Sequence, residues 1–217
     1  MINLFSVGVF GWLGEFMKNL LTQLYGFTGS YGSAIILLTL SIRLLLFPLV
    51  SKQTRSMKKM QELQPLMEEL KEKYGDDKEK YQEETMKLYQ KHKVNPAAGC
   101  LPLLVQMPIL VALFRALQDW EELVGESFLL IPDLSGPYLP LVILTGLVML
   151  GQSLMTQKLS GKEGNNKMAL FMPLFIILIG FRLPAGVLVY WFTSNLIMAV
   201  QQYFLYKEPA DLKEEST

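Results

Sequence analysis

The chain has 217 residues, 51% of them hydrophobic, and 20 basic and 20 acidic side chains that cancel to zero net charge; mean hydropathy is +0.28. Long apolar runs with the charges collected between them exclude a soluble globular domain. One cysteine, Cys100, excludes an internal disulfide, and neither it nor the single histidine, His92, stands in a metal-ligand spacing.

Residues 1–30 open on MINLFSVGVFG, which lacks the basic flank and small-residue cleavage site of a secretory signal. Residues 12–27 then predict an amphipathic helix lying in the membrane interface. Trp12, Leu13, Phe16, Met17, Leu20, Leu24 and Phe27 take one face, and Glu15, Lys18, Asn19, Thr22 and Gln23 the other. A first span is expected over 31–50. Residues 51–95 are charged but patterned. Met57, Met60, Leu63, Met67, Leu70 and Tyr74 recur at helical steps, Gly75-Asp76-Asp77 interrupts, and Tyr81, Thr85, Leu88, Tyr89 and His92 resume the pattern. The prediction is a helical hairpin with a kink at Pro65. Physics alone leaves it either a solvated connector or a docking arm for a partner at the membrane surface.

A second span follows over 96–117, with Asn95-Pro96 as its start signal. Residues 118–136 form a loop, 137–156 a third span, 157–167 a second loop and 168–181 a fourth span. The fourth is only about 21 Å long at 1.5 Å per residue, short enough to thin the bilayer. A fifth span covers 185–206, and 207–217 form a tail. Lysine and arginine placement orients these elements. Residues 51–95 hold eleven of the 20 basic residues, 156–167 hold three and 206–217 hold two, whereas 118–136 hold none. The N-terminus is therefore expected outside, and the 51–95 hairpin and C-terminus in the cytoplasm.

No predicted span contains Asp or Glu, yet Arg43 stands in the middle of the first. A charge there costs at least about 2.5–3.5 kcal/mol. Arginine cannot shed its proton, and its five N–H donors need acceptors. The candidates are neutral: Thr39 and Ser41 in the first span, Gln106 in the second, Gln152 and Ser153 in the third, and Thr193, Ser194 and Asn195 in the fifth. The expectation is a hydrated, positively charged cavity between helices. It would attract an anion, an acidic lipid headgroup or an acidic peptide. Catalysis is not indicated. Ser194 and His92 lie at different depths, and no H-E-x-x-H, G-x-S-x-G or P-loop is present. No cofactor, metal or sequence-specific nucleic acid is called for.

Four stretches in order carry a resemblance: SIRLLLFPLVSKQ (41–53), the charged hairpin after it, NPAAGCLPLLVQMPILVALFRAL (95–117) and LPAGVLVYWFTSNL (183–196). Together they resemble the YidC/Oxa/Alb membrane insertases over about residues 20–207. The resemblance implies an all-α membrane protein of five transmembrane helices around a hydrophilic groove, open to cytoplasm and lipid and closed outside. It implies that Arg43, Gln152 and Trp191 line this groove, and that nascent membrane proteins are inserted without nucleotide hydrolysis in a bacterial cell membrane. The hairpin would contact the Sec translocon, the ribosome or targeting factors. The sequence shows neither a large periplasmic domain nor a lipoprotein signal. Its acidic tail, EPADLKEEST, argues against ribosome tethering at that end. A small-anion channel or carrier on the same cavity, or a passive assembly factor, are the competing readings.

Overall fold

A computed structural model describes residues 2–95, 101–118, 120–159, 174 and 176–207. Cys100, the Asn95-Pro96 helix start beyond residue 95, most of 157–167, half of the 168–181 span and the tail from 208 lie outside the described residues. Within them the chain is helical apart from turns and one isolated bridge, Phe128–Ile131. The elements are α1 (Ile2–Thr28), α2 (Tyr31–Glu62), α3 (Gln64–Tyr74), α4 (Lys78–Lys91), α5 (Leu101–Leu117), a 3-10 turn (Glu121–Leu123), α6 (Leu139–Leu159), α7 (176–180) and α8 (Ala185–Lys207).

Gly29, at φ +65°, breaks the chain between α1 and α2, a conformation glycine adopts without cost. α1 is more than an interfacial helix. Gly14, Met17 and Leu21 are buried, and Gly14 lets its backbone approach Ala112 and Ala116 of α5 closely. Leu13, Leu20 and Leu24 of the expected apolar stripe also pack against the core, so the buried line overlaps the stripe in part. Trp12, Phe16 and Phe27 stay exposed, with Trp12 stacked on Phe16.

α2 does not end at residue 50. It is one unbroken helix of 32 residues, about 48 Å long, so its last dozen residues continue past a hydrocarbon layer of about 30 Å. Pro48 lies inside it. Pro65 does more than kink the helix: α2 stops at Glu62, and Pro65 occupies the first turn of α3, where its missing N–H costs nothing. The Gly75–Asp77 break ends α3, and the Asp77 carboxylate caps α4 by accepting from the Lys80 N–H at 3.1 Å. Leu63, Tyr89 and Val94 form a small core of their own, flanked by Met60, Met67 and Leu88.

The main core is apolar and tightly packed around Leu21, Ile35, Leu113, Leu117, Val142 and Leu188. Outside it the helices carry an apolar coat. Leu44 and Leu45 on α2, Leu104 on α5, Leu147 on α6, Leu178 on α7 and Phe204 on α8 are each more than half exposed. Water does not tolerate so much contiguous apolar surface; lipid does. By length and composition α2 alone among the described helices qualifies outright as a span, with shorter apolar helices at Leu104–Leu117 and Leu139–Met155.

At the end away from the hairpin, residues 120–136 are folded down onto the helices. Leu123, Ile131 and Leu134 are buried. The Ala185 and Gly186 N–H groups at the start of α8 donate to Gly136 and Leu134 carbonyls at 2.7 and 2.9 Å, satisfying donors that every helix start leaves open. Asp133 ties the loop together by accepting from Ser135 N, Ser135 Oγ and Gly125 N.

Small residues fix the helix contacts. A side chain at Gly146 of α6 would strike Ile177, and one at Gly180 of α7 would strike Val142. Close approach at such notches is how helices pack where lipid supplies no hydrophobic drive. Gly146→Val is expected to cost about 1–3 kcal/mol by overpacking, lowering the melting temperature in detergent by roughly 2–4 °C per kcal/mol. Gly151→Ala, where the space is open, is expected to leave it unchanged or slightly raised. The Ser135 hydroxyl and the backbone N–H bonds hold the Asp133 carboxyl below its ordinary value. A depressed carboxylate contributes stability that is present above its unfolded pKa of about 4 and lost as pH falls through the lower folded value. Asp133→Asn should therefore melt earlier than wild type at neutral pH, and the gap should close in acid.

Candidate functional site

The polar residues inside the bundle meet where α2, α5 and α8 converge. Arg43 is 12 residues along α2 from Tyr31, about 18 Å by helix rise, and is only 7% exposed. Its Nε donates to Ser194 Oγ at 2.9 Å, and its Nη2 also donates to that oxygen in a short contact. Nη2 reaches Gln106 Oε1 at 3.4 Å, and Nη1 points at the Met198 sulfur at 3.8 Å. Gln106 in turn donates through Nε2 to the Tyr190 hydroxyl at 2.9 Å.

Helical spacing explains why α8 supplies this site. Tyr190, Ser194 and Met198 are four residues apart, so they line one face. That face lies against α2, where Thr39 and Arg43 follow the same step. Every hydrogen-bond partner of Arg43 among the described residues is neutral, and one is a thioether, a weak acceptor. The guanidinium keeps its full charge, with no carboxylate among the described residues bonded to it. Two other buried oxygens, Thr145 Oγ1 on α6 and Gln201 Oε1 on α8, have no hydrogen-bond partner among the described residues. Groups of this kind ordinarily bind water.

The residues expected from the sequence divide into four sets. Arg43, Gln106 and Ser194 are brought into direct contact. Thr39 and Asn195 are buried close by in sequence, but each bonds its own helix: Thr39 Oγ1 to the Ile35 carbonyl at 2.6 Å, and Asn195 Nδ2 to the Trp191 carbonyl at 2.7 Å. Trp191 is buried beside Tyr190, and Gln152 is half-buried on α6. Ser41 corrects an expectation. It is exposed, and its hydroxyl bonds the Leu37 carbonyl at 2.9 Å. Two residues along a helix is a turn of about 200°, so Ser41 faces away from Arg43. Tyr190 and Met198 were not singled out from sequence. The four-residue step from Ser194 in both directions was the signal that could have found them.

A second surface lies on the hairpin. A groove of about 340 Å³ between α3 and α4 is lined by Leu66, Leu70 and Leu88 together with Glu69, Lys73, Glu84, Lys87 and Lys91. Lys87 bridges Glu83 at 2.7 Å and Glu84 at 2.9 Å, which raises the lysine pKa and lowers that of Glu83.

Residues 23–212 match the family model described as 60Kd inner membrane protein. The chain is 42% identical over 209 residues to the membrane protein insertase YidC of Fusobacterium nucleatum, covering 93% of this chain and 98% of that one. It is 43% identical over 206 residues to the YidC of Caldanaerobacter subterraneus, covering 94% and 98%. Against the YidC of Geobacter sulfurreducens it is 39% identical over 201 residues, 90% of this chain but 38% of that longer protein. Among solved structures it is similar to an active YidC insertase crystal structure with its first transmembrane domain resolved. The TM-score is 0.67 at 32% identity, covering 91% of this chain and 46% of that one.

Removing one partner from a buried charge costs more than removing both. Ser194→Ala is therefore expected to lower the thermal stability of the purified protein by about 1–3 kcal/mol. Adding Arg43→Leu should recover most of that loss, read from melting curves of the two single variants and the double variant.

Proposed function

The chain belongs to the 60Kd inner membrane protein family, whose curated relatives are membrane protein insertases, and from that premise we propose that its insertase activity works through the Arg43 junction. The observation that carries this is a full positive charge buried among neutral acceptors, with no carboxylate to satisfy it.

Insertion requires moving the polar end of a peptide across hydrocarbon. A hydrated pocket reaching Arg43 from the cytoplasmic side shortens the apolar distance that end must travel. Arg43 then holds an acidic or polar tail through charge-assisted hydrogen bonds. Met198 and the more distant Gln106 oxygen are its weakest partners, so the tail displaces them at least cost. Ser194 remains and keeps the guanidinium in place. Thr39, Asn195, Gln152 and Trp191 line the path around this point. The client's hydrophobic segment leaves into lipid along the third and fifth spans. Partitioning drives that step, aided by about 2.3 kcal/mol per charge for each 100 mV of membrane potential.

In this reading the N-terminus and the 118–136 loop are outside, and the C-terminus and the α3–α4 hairpin are cytoplasmic. Residues 31–50, 96–117, 137–156, 168–181 and 185–206 are the five spans. The hairpin, with its leucine- and lysine-lined groove, receives the Sec translocon, the ribosome or a targeting factor. Clients are small or Sec-delivered membrane proteins, and nucleotide hydrolysis has no part.

Arg43→Ala is expected to reduce insertion of a single-span substrate with an acidic tail by about tenfold or more, from the roughly 1.5–3 kcal/mol that a hydrogen bond to a charged group contributes. Arg43→Lys should restore part of it. Wild-type insertion by the Ala variant across several acidic-tailed substrates would refute the charge-capture role. Flux of small anions through protein-bearing liposomes, without any peptide, would instead favour a channel or carrier.

A further inference from the structure

The loop between α5 and α6 rises to a tight turn. Phe128 and Ile131 exchange both backbone hydrogen bonds, at 2.9 and 2.8 Å, which leaves Leu129 and Leu130 as its two-residue tip. They are 87% and 86% exposed. Leu129 also has φ +53°, at a turn position that glycine ordinarily fills because a Cβ there crowds the backbone. In water, glycine and a polar residue would suit the tip better on both counts. Two leucines call for an apolar medium that the protein itself does not provide.

Position identifies that medium. Residues 31–50 of α2 rise about 30 Å, the thickness of the hydrocarbon layer, so Tyr31 marks one of its boundaries. An aromatic cluster stands at the same level. Tyr25 stacks on Tyr31 at 4.2 Å, and Trp120 meets Tyr31 edge-on at 5.0 Å. Tyrosine and tryptophan favour the membrane–water boundary. The base of the turn belongs to this level too, because the Phe128 ring covers Gly32 so closely that no Cβ would fit. An extended residue advances about 3.3 Å, so the tip stands no more than about 7 Å from its base. The polar layer of each leaflet is about 5–7 Å deep. The turn is too short to carry its leucines clear of that layer. Phe27 and Val124, 87% and 67% exposed, flank the same boundary.

We propose that Leu129 and Leu130 form a lipid anchor, inserted into the headgroup–acyl boundary of the leaflet away from the α3–α4 hairpin. Recognition is by apolar insertion. Residues 118–136 contain no lysine or arginine and do contain Glu121, Glu122, Glu126 and Asp133, so anionic lipid adds no attraction. Anchored there, the loop that packs on the starts of α2 and α8 is held to the plane of the membrane. The inference rests on α2 as a span and is independent of what Arg43 does.

The test uses the full chain with Cys100→Ser and Leu130→Cys, labelled with an environment-sensitive nitrobenzoxadiazole dye, in phosphatidylcholine vesicles carrying brominated lipids. The expected result is blue-shifted emission, quenched at least about twofold more by bromines near the headgroup end of the chain than by iodide in the water. High salt, or replacing part of the lipid with phosphatidylglycerol, should change nothing. Water-like emission freely quenched by iodide would overturn the proposal. So would protection from both quenchers, which would mean that another copy of the protein covers the tip. Label at Glu121→Cys should stay open to iodide, and label at Leu40→Cys should be quenched by deep bromines. Failure of the Leu40 control would overturn the span placement and the anchor with it, while leaving Arg43 chemistry to its own assay. If the Leu130 variant does not fold, Leu129→Cys gives the same readout.

Discussion

One buried guanidinium constrains much of this structure. Arg43 cannot neutralise itself, and the long apolar runs of the sequence contain no Asp or Glu to pair with it. Its five donors must be met by neutral oxygens, or they remain orphaned at a cost of several kcal/mol. That requirement reaches across 151 residues to α8, whose Ser194 takes two of the donors. It also reaches α5, whose Gln106 is turned by Tyr190 so that its oxygen faces the arginine. Three helices are thereby tied at one depth by polar bonds, while leucine, isoleucine and alanine pack the levels beyond. The arrangement holds the charge without cancelling it.

The continuity of α2 gives that site a mechanical neighbour. From Arg43 to Glu62 the helix is uninterrupted, about 28 Å by its rise. Leu63 at its end is buried in the hairpin's own small core with Tyr89 and Val94. The hairpin is thus mounted on the same continuous helix that carries the arginine, with Pro48 inside the intervening stretch. α3 begins afresh at Gln64, so a single residue, Leu63, joins the two helices.

How much of this was legible in the sequence depends on the range of the interaction. Arg43 announced itself because charge in an apolar run is rare, and the absence of intramembrane carboxylates limited its partners to a short set. Ser194 and Gln106 were in that set. Ser41 was too, and it failed because depth was counted while azimuth was not: two residues separate it from Arg43, and two residues reverse the face. Tyr190 escaped notice because a tyrosine in a YW pair reads as packing until the four-residue step to Ser194 is drawn. The end of the first span was placed by polarity at residue 50, but polarity marks where a helix leaves lipid, not where it stops being a helix. Pro65 reads as a kink for a similar reason. A proline perturbs a helix that runs through it and starts one that does not, and only the break at Leu63 decides between the two. For α1 the apolar stripe is partly the contact line: Leu13, Met17, Leu20 and Leu24 pack on the core, whereas Trp12, Phe16 and Phe27 are exposed. Gly14 lies outside that stripe because it has no side chain to mark it, yet a Cβ there would meet Arg115 and Ala112 of α5.

The folded 118–136 loop bears on direction. A pocket that reached Arg43 from both faces would be a leak for ions, and a buried positive charge alone does not prevent that. What closes one end is backbone chemistry. The first donors of α8 are spent on the Leu134 and Gly136 carbonyls, so the loop is bonded to the helix that carries Ser194. Lifting the loop would expose those donors and the buried Leu123, Ile131 and Leu134 together. Opening at that end therefore costs several groups at once, while at the hairpin end the joint at Leu63 is one residue wide.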